Sequence, residues 1–353
     1  MADFSQYTGP SAEWLALEPT LPAPTPGLSV SERKAETNTL RDTVSATAMQ
    51  TLGPQVHTQD YSIPTRDGAH IQARTYRRAD LPTPTSPLPV YIHLHGGGFL
   101  FGTLASEDPA CALVAINTGV LVLNVNYRHT PEHVYPTAWN DVEDAFEWLH
   151  DNMAAVGGDP LRVVVGGISA GAYLTASLAL EKHLGRVAVG RPAIAGLVLM
   201  IPAVVNIDCY APVLAQIKDE AVSSWETCKD APVLPRAVCR LFMDLLKIEG
   251  ADPADTKLNP GLASAEQVKG LPPSVFGVAG LDPLRDEGLL FAKKLAEAGV
   301  PTDVSVFPGV PHGFRRYGDK LSECKRWDKV VENGILWALG GPQATGVFEI
   351  KAE

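Results

Sequence analysis

The chain has 353 residues, of which 45% are hydrophobic and 20% charged, which suits one large α/β core with an accessory lid and excludes wholesale disorder. No basic cluster offsets the formal net charge of −11, which argues against nucleic acid or an anionic membrane as a partner. The longest apolar run, residues 194–205, is too short and too broken by proline to insert into a bilayer.

The N-terminus and the cysteines indicate in which cellular compartment the protein is expected. Residues 1–6 have neither a basic start nor an apolar core, so no signal peptide is expected. The five cysteines are an odd number without C-x-x-C spacing. They are interpreted as free thiols in a reducing cytosol rather than as a disulfide framework, and we predict a cytoplasmic protein.

The N-terminal stretch predicts an arm followed by a helix. Four prolines between positions 19 and 26 forbid a long helix and indicate an extended arm. Trp14 and its leucine neighbours favour packing of part of this arm on the body, the alternative being a flexible tail. Residues 31–52 are predicted to be helical, with Ser31 as the N-cap and Glu32 in the first turn.

Strands and helices then alternate, with a proline-studded loop at residues 82–87. The predicted strands are 56–63, 70–76, 88–95, 119–127, 162–166, 194–201, 274–280 and 302–307. The predicted helices are 106–118, 137–152, 170–184, 284–298 and 320–339. This alternation predicts an α/β fold with a doubly wound, mostly parallel sheet.

The alternation breaks at residues 203–261, where only helix-like pieces are predicted. We interpret this insert, together with residues 1–54, as a helical cap over the C-terminal ends of the strands. The catalytic core then comprises residues 55–202 and 262–345. Several apolar side chains of the insert fit either an acyl pocket or the core of the cap. They are Trp225, Leu241, Phe242, Leu245 and Leu246.

A G-x-S-x-G pattern at residues 167–171 lies between the strand at 162–166 and a small-residue helical pattern. Strand, sharp turn and helix are the context in which this pattern marks a nucleophile elbow. The turn strains the serine backbone, so close neighbours must be small, as Gly167 and Gly171 are. Ser169 is therefore the predicted nucleophile.

An acyl-transfer serine needs a base and an orienting carboxylate, in the chain order Ser, Asp or Glu, His. His312 follows the last predicted strand, and Asp282 lies at the loop tip after the preceding one. Asp286 and Glu287 compete for the role of the acid, but they fall in the first turn of a helix, where acids favour the dipole anyway. His183 is interpreted as helix surface.

The glycine run after His95 predicts donors for the developing oxyanion. Because glycine has no side chain, the N–H groups of Gly96 or Gly97 can turn toward a substrate carbonyl oxygen, beside the amide of Ala170. A flexible loop or a phosphate cradle is the alternative, and no Walker lysine supports the latter. His93 and His95 lack a third ligand at metal spacing, so we interpret them as packing residues and expect no metal.

These motifs resemble those of the hormone-sensitive-lipase-like (class IV) branch of the α/β-hydrolases. The matching segments are 95–99, 167–171, 282–288 and 312–314, and together the resemblance covers about residues 55–340. It implies an eight-stranded, mostly parallel sheet, a helical cap and esterase activity without metal or organic cofactor.

The elbow departs from the family pattern at two positions. The family usually carries Asp before the serine and Gly-Gly after the alanine, where this chain has Ile168 and Gly171-Ala172. Neither position belongs to the predicted triad. Receptor and dehydratase relatives have lost the histidine or the serine, whereas this chain keeps Ser169 and His312.

The leading hypothesis is a serine carboxylesterase for short-to-medium acyl esters of small soluble molecules. An acyltransferase, lactonase or thioesterase with the same triad is one alternative, and a ligand-binding receptor is another. Gly98, Phe99 and Phe314 are the candidate substrate-pocket residues. A homodimer is one expected assembly.

Overall fold

One sheet of eight strands runs through the computed structural model, which describes residues 1–80 and 86–352. Most of the loop predicted at 82–87 lies outside the described residues. The strands are β1 (Val56–Pro64), β2 (His70–Arg78), β3 (Leu88–Leu94), β4 (Leu121–Asn126), β5 (Gly158–Ile168), β6 (Gly196–Met200), β7 (Ser274–Leu281) and β8 (Thr302–Pro311).

The strand order is β1-β2-β4-β3-β5-β6-β7-β8. The first two pairings are antiparallel, and all pairings from β4 to β8 are parallel. Parallel neighbours require crossover connections, which the intervening helices supply. The predicted eight-stranded, mostly parallel α/β sheet is therefore confirmed.

Helices cover both faces of the sheet. They are α1 (Ala12–Leu17), α2 (Val30–Leu52), α3 (Asp108–Thr118), α4 (Thr137–Asp151), α5 (Met153–Val156), α6 (Ala170–His183), α7 (Ala211–Leu214), α8 (Ser224–Thr227), α9 (Arg236–Leu246), α10 (Ala265–Val268), α11 (Arg285–Glu297) and α12 (Glu323–Leu339). Helices α4, α6 and α11 bury apolar side chains against one face, and α3 and α12 against the other. With both faces covered, β6 and β7 are buried along their whole length. No helix within the described ranges is long and apolar enough to cross a membrane.

The start of α2 differs from the prediction. Ser29, not Ser31, is the N-cap: its hydroxyl accepts from the backbone N–H of Glu32 at 3.3 Å, and the Glu32 carboxylate accepts from the N–H of Ser29 at 2.8 Å. This reciprocal pair of hydrogen bonds requires a Glu three positions after the N-cap, and Glu32 has that spacing from Ser29. The N-cap therefore lies two residues before the predicted one.

The N-terminal residues pack on the body. Trp14 on α1 is buried, and the N–H of Ser11 donates to the carbonyl of Gly309 at 2.9 Å. On α2, the side-chain oxygen of Asn38 accepts from the N–H of Gly102 at 2.9 Å. Helix α2 thereby lies on the loop that follows β3.

The insert, residues 203–261, contacts loops at the same edge of the sheet. The hydroxyl of Ser224 donates to the carbonyl of Pro283 at 2.9 Å, beyond the end of β7. The N–H of Tyr135, in the segment after β4, donates to the carbonyl of Leu246 at 3.1 Å. These hydrogen bonds join the insert to the segments that follow the carboxyl ends of β7 and β4.

Candidate active site

The turn between β5 and α6 holds Ser169 in a strained conformation. Its φ is 55° and its ψ is −114°, outside the regions that residues with a side chain prefer. The backbone N–H of Ser169 donates to the carbonyl of Met200 at 2.8 Å, which ties the turn to β6. This is the geometry of a nucleophile elbow, with the serine at the strand-to-helix corner.

Glycine at position 171 is required by a close backbone approach. A Cβ on Gly171 would lie 1.9 Å from the carbonyl oxygen of Leu94 at the end of β3. A Cβ on Gly167 would lie 2.2 Å from the carbonyl oxygen of Gly171. The two glycines of the motif therefore let the first turn of α6 sit directly against β3 and β5.

Replacing Gly171 by alanine is expected to lower the free energy of unfolding by about 3 kcal/mol, because a backbone carbonyl has to move. Urea denaturation of the purified protein measures this change. Gly53→Ala is the control, because its new Cβ would meet only the end of the Met49 side chain, at 3.9 Å. The stability of this variant should differ from that of the wild type by no more than about 1 kcal/mol. Equal stabilities of the two variants would contradict this account of the turn.

Ser169, His312 and Asp282 form one hydrogen-bonded line. The Nε2 of His312 lies 2.8 Å from the Oγ of Ser169, and its Nδ1 lies 2.7 Å from Oδ2 of Asp282. Asp282 and His312 are both buried, and Oδ1 of Asp282 accepts from the N–H of Leu284 at 2.9 Å. The carboxylate is therefore fixed from both sides and holds the imidazole toward the serine.

The topology brings these residues together. Strands β3, β5, β7 and β8 are parallel, and each ends directly before one part of the site. Their last residues are Leu94, Ile168, Leu281 and Pro311. Parallel strands end at one edge of the sheet, so the glycine loop, the serine, the acid and the histidine meet there although they are far apart in the chain.

The predicted oxyanion donors lie in the loop after β3 and at the start of α6. Ala170 is the first residue of α6, and its N–H has no partner within the helix. The glycine loop turns back on itself, because the N–H groups of Leu100 and Phe101 both donate to the carbonyl of Gly97, at 3.1 and 2.9 Å. With φ of 136° at Gly97, a Cβ there would lie 2.2 Å from the carbonyl oxygen of Phe101. Only glycine allows this turn beside Gly96.

The chain is also similar to known proteins. A family model described as "alpha/beta hydrolase fold" matches residues 91–316. The carboxylesterase NlhH of Mycobacterium tuberculosis is 36% identical over 238 residues, which cover 66% of this chain and 68% of that protein. The chain belongs to the hormone-sensitive-lipase-like branch of the α/β-hydrolases.

Solved structures of similar hydrolases cover nearly the whole chain. A structure titled vibralactone cyclase has 27% identity and a TM-score of 0.83, covering 96% of this hydrolase and 97% of that chain. A bacterial heroin esterase has 28% identity and a TM-score of 0.75, covering 95% and 99%. The similarity therefore includes the N-terminal helices and the insert as well as the sheet.

The two acids that competed with Asp282 hold the insert of this hydrolase. Oδ2 of Asp286 accepts from the N–H of Ser224 at 2.7 Å, and its Oδ1 accepts from Arg285 at 2.9 Å. Oε1 of Glu287 accepts from the N–H of Val204. Neither carboxylate hydrogen-bonds to His312, so the geometry favours Asp282 as the partner of the imidazole.

Burial raises the pKa of Glu287 to about 8, against an ordinary value of 4.5. Between these values the folded state binds a proton that the unfolded state has released, so the contribution of Glu287 to stability is highest below about pH 4.5 and falls until about pH 8. Over this range the Glu287 carboxyl lowers the free energy of unfolding by up to about 1.4 kcal/mol for each unit of rising pH.

Glu287→Gln is expected to flatten that part of the stability profile, because the amide keeps the acceptor without a titratable proton. Urea unfolding at a series of pH values measures the slope, and the exposed Glu297→Gln on the same helix is the control. If the slope of stability against pH were unchanged in Glu287→Gln, Glu287 would not be protonated in the folded state.

Two of the residues predicted to line the substrate pocket are buried. Phe99 is buried and stacks on Trp139 with ring centroids 4.8 Å apart. Phe314 is completely buried against Phe307 and Trp327. Both rings thus pack against other aromatic side chains, and their assignment to the substrate pocket stays a prediction.

The insert covers Gly98 with an aromatic ring. A Cβ on Gly98 would lie 2.3 Å from the ring of Phe242 on α9, and this ring meets Phe101 edge-on at 5.9 Å. Phe242 therefore packs on the glycine loop, whereas Leu246 of the same helix is buried and Leu241 is exposed. The apolar side chains of α9 thus divide between the core and the loop that carries the predicted oxyanion donors.

His95 supports the glycine loop from below. It stacks on Tyr127 at 4.4 Å, and the hydroxyl of Tyr127 donates to the carbonyl of His95 at 2.7 Å. His129 contacts it with Nε2 atoms 3.2 Å apart, and burial lowers the pKa of His95 to about 4 and that of His129 to about 2. Both rings are neutral, and within the described ranges no cluster of three or more His, Cys, Asp or Glu fits a metal ion.

Ile168, which replaces the family's usual acid, packs against the glycine loop. A Cβ on Gly96 would lie 3.3 Å from Cγ2 of Ile168 and 2.9 Å from its carbonyl oxygen. An apolar contact to the loop thus replaces a carboxylate beside the elbow. Ala172 is buried in α6.

Proposed function

We propose that this hydrolase is a serine carboxylesterase, which cleaves short-to-medium acyl esters of small soluble molecules through an acyl-enzyme on Ser169. The observation that supports it most is the line from Asp282 through His312 to Ser169, with hydrogen bonds of 2.7 and 2.8 Å. The relationship to a carboxylesterase and an esterase structure agrees with this activity.

In acylation, Ser169 Oγ attacks the ester carbonyl carbon while Nε2 of His312 takes the hydroxyl proton. Asp282 holds the imidazole tautomer and stabilises the imidazolium. The developing oxyanion accepts hydrogen bonds from the amides of Ala170 and of Gly96 or Gly97. When the tetrahedral intermediate collapses, the ester C–O bond breaks and His312 gives its proton to the leaving alkoxide.

Deacylation repeats these steps with water. Nε2 of His312 takes a proton from water as its oxygen attacks the acyl carbon, and the same amides bind the second oxyanion. Collapse releases the carboxylic acid and returns the proton to Ser169. An acyltransferase would replace this water by another alcohol or amine, so product analysis distinguishes the two.

The proposed cap consists of the insert and the N-terminal helices. It is supported by the contacts of Phe242 with Gly98 and of Asn38 with Gly102, since both glycines lie in the segment after β3. We further propose a cytoplasmic enzyme, since the five cysteines are all buried and unpaired as expected in a reducing compartment.

The test is hydrolysis of a panel of para-nitrophenyl esters from acetate to decanoate. We expect the highest kcat/KM among the shorter acyl chains, and a burst of nitrophenolate when deacylation limits turnover. Addition of methanol, with mass detection of the products, measures acyl transfer. No turnover of any ester above a buffer blank would refute the proposal, and methyl esters as the main products would favour the acyltransferase.

A further inference from the structure

Arg285 lies next to the proposed catalytic acid and is completely buried at the start of α11. Its backbone N–H donates to the carbonyl of Asp282 at 3.1 Å. Its Nη1 donates to the carbonyl of Gly280 at 3.2 Å, two positions before the acid. The two hydrogen bonds of this one residue therefore bind the backbone on both sides of the Asp282 side chain.

These bonds act together with the ones that Asp282 makes itself. Oδ1 of Asp282 accepts from the N–H of Leu284 at 2.9 Å, and Oδ2 lies 2.7 Å from Nδ1 of His312. A carboxylate with one oxygen bound to its own turn reaches the imidazole only while that turn keeps its shape. The position of Oδ2 thus depends on the backbone that Arg285 holds.

The N-terminal segment of residues 7–11 lies directly on the strand ends that precede the acid and the histidine. A Cβ on Gly280, near the end of β7, would lie 2.5 Å from the carbonyl oxygen of Tyr7. A Cβ on Gly309, near the end of β8, would lie 2.4 Å from the backbone nitrogen of Ser11, whose N–H donates to the carbonyl of Gly309. Both strand ends are therefore in contact with the backbone of this segment.

The side chain of Arg285 joins this segment to the acid. The Nη1 that binds the carbonyl of Gly280 also donates to the hydroxyl of Thr8 at 2.5 Å. Its Nε donates to Oδ1 of Asp286, whose other oxygen accepts from the N–H of Ser224 in the insert. One guanidinium thus connects the N-terminal segment, the turn that carries the acid and, through Asp286, the insert.

Stability alone does not account for a guanidinium in this place. Moving a cation from water into the interior is unfavourable, and a buried ion pair often contributes less to stability than apolar side chains of the same volume. A planar guanidinium, however, directs its donors at fixed angles, which sets the relative positions of the groups that accept from it. Arg285, with Asp286 beside it and no exposed surface, is therefore suited to fix geometry.

We infer that Arg285 is a positioning residue, which together with Thr8 holds the carboxylate of Asp282 at hydrogen-bonding distance from His312. The inference rests on the proposed esterase function and deepens it. Among the described residues, Arg285 makes no hydrogen bond to Ser169 or His312, so it acts only through the acid. A displacement of about 1 Å in a catalytic group can lower a rate by up to about 100-fold.

The test measures kcat for para-nitrophenyl butyrate per active site. The active sites are counted by the burst of nitrophenolate that diethyl para-nitrophenyl phosphate releases when it labels the serine. Arg285→Lys keeps the positive charge beside Asp286, but one ammonium cannot occupy the positions of both Nε and Nη1. We expect its kcat per active site to fall about tenfold, while KM stays within about twofold of the wild type.

Thr8→Val leaves Arg285 in place, so it tests the inference in a variant whose buried ion pair is intact. It removes only the hydroxyl that accepts from Nη1, and we expect kcat per active site to fall about fivefold. Thr8→Ser keeps the hydroxyl and should retain most of the wild-type value. Arg191→Gln is the control: this arginine pairs with Glu147 and Asp151 before the amino end of β6, and its loss should leave kcat unchanged.

Proton NMR gives a readout that does not require turnover. The Nδ1–H of His312, bonded to Asp282, should give a low-field signal, which is identified by its loss in Asp282→Asn. In Arg285→Lys and Thr8→Val, we expect this signal to move to higher field or to broaden through exchange with water, because the hydrogen bond lengthens. The signal should be unchanged in Arg191→Gln.

A kcat per active site within about twofold of the wild type in both Arg285→Lys and Thr8→Val would overturn the inference, even if fewer active sites are counted. Such a result would give Arg285 a role in stability only. Where a thermal melt shows that Arg285→Lys does not fold, Thr8→Val alone decides. Should the wild type hydrolyse no ester, the proposed function fails, and the NMR signal decides the inference separately. An unchanged signal in both variants would then overturn it.

Discussion

Replacing Ser169 by alanine should lower kcat for para-nitrophenyl butyrate by about 10⁴-fold or more, because no acyl-enzyme can form. The oxyanion donors and the substrate pocket remain, so some hydrolysis above the rate in water should persist. The fold should be unaffected, since the hydroxyl of Ser169 bonds only to His312 among the described residues. Steady-state kinetics and a thermal melt check both statements.

Ser62→Ala is the matched control for this loss. Ser62 is exposed on β1, at the antiparallel end of the sheet and away from the parallel strands that carry the site. Its alanine variant should turn over the ester as the wild type does. If Ser169→Ala kept a tenth or more of the wild-type kcat, another group would have to be the nucleophile.

Asp282→Asn should lower kcat by about 10⁴-fold, because an amide stabilises the wrong tautomer of His312. The 2.7 Å contact from Oδ2 to Nδ1 would persist with the amide in place of the carboxylate. The nitrogen facing Ser169 would then carry a proton and be unable to accept another. Measuring kcat over a range of pH tests this, because raising the pH should restore little activity.

Asp286→Asn distinguishes the two neighbouring acids. Asp286 accepts hydrogen bonds from Ser224 and Arg285, so its loss should cost about 1–3 kcal/mol of stability through the insert while kcat falls far less than in Asp282→Asn. Urea unfolding and steady-state kinetics on both variants separate these effects. A larger loss of kcat in Asp286→Asn than in Asp282→Asn would reverse the assignment of the acid.

The sheet and the three proposed catalytic residues could be predicted because each depends on chain order. Apolar runs and helical patterns alternate, and their alternation determines a parallel sheet whose strands end at one edge. Ser169, Asp282 and His312 each follow a strand directly. Their meeting is thus a consequence of topology, and the short hydrogen bonds between them follow from that placement.

Side-chain direction within the loops could not be predicted in this way. Phe99 follows the glycine run and Phe314 follows the histidine, yet both rings turn into the core. At Phe99 the backbone has a positive φ of 59°, which aims the ring toward Trp139. Spacing in the chain contains no signal for such a conformation in a residue other than glycine.

Contacts between segments that are distant in the chain could not be predicted from the sequence either. Helix α2 has almost no amphipathic pattern, so its sequence does not show which face packs on the body. The contact of this helix with the loop after β3 depends on Asn38 and Gly102, which are far apart in the chain. The contact of Phe242 with Gly98 likewise depends on the placement of the insert.

The most direct test of an acyl-enzyme on Ser169 is covalent trapping with diethyl para-nitrophenyl phosphate, followed by mass spectrometry of the intact protein and its peptides. The account predicts one diethylphosphoryl group per chain, on the peptide that contains Ser169, with simultaneous loss of esterase activity. Pre-incubation with a short-chain ester should slow the labelling. Inactivation without a label on Ser169, or labelling of Ser169 without loss of activity, would contradict it.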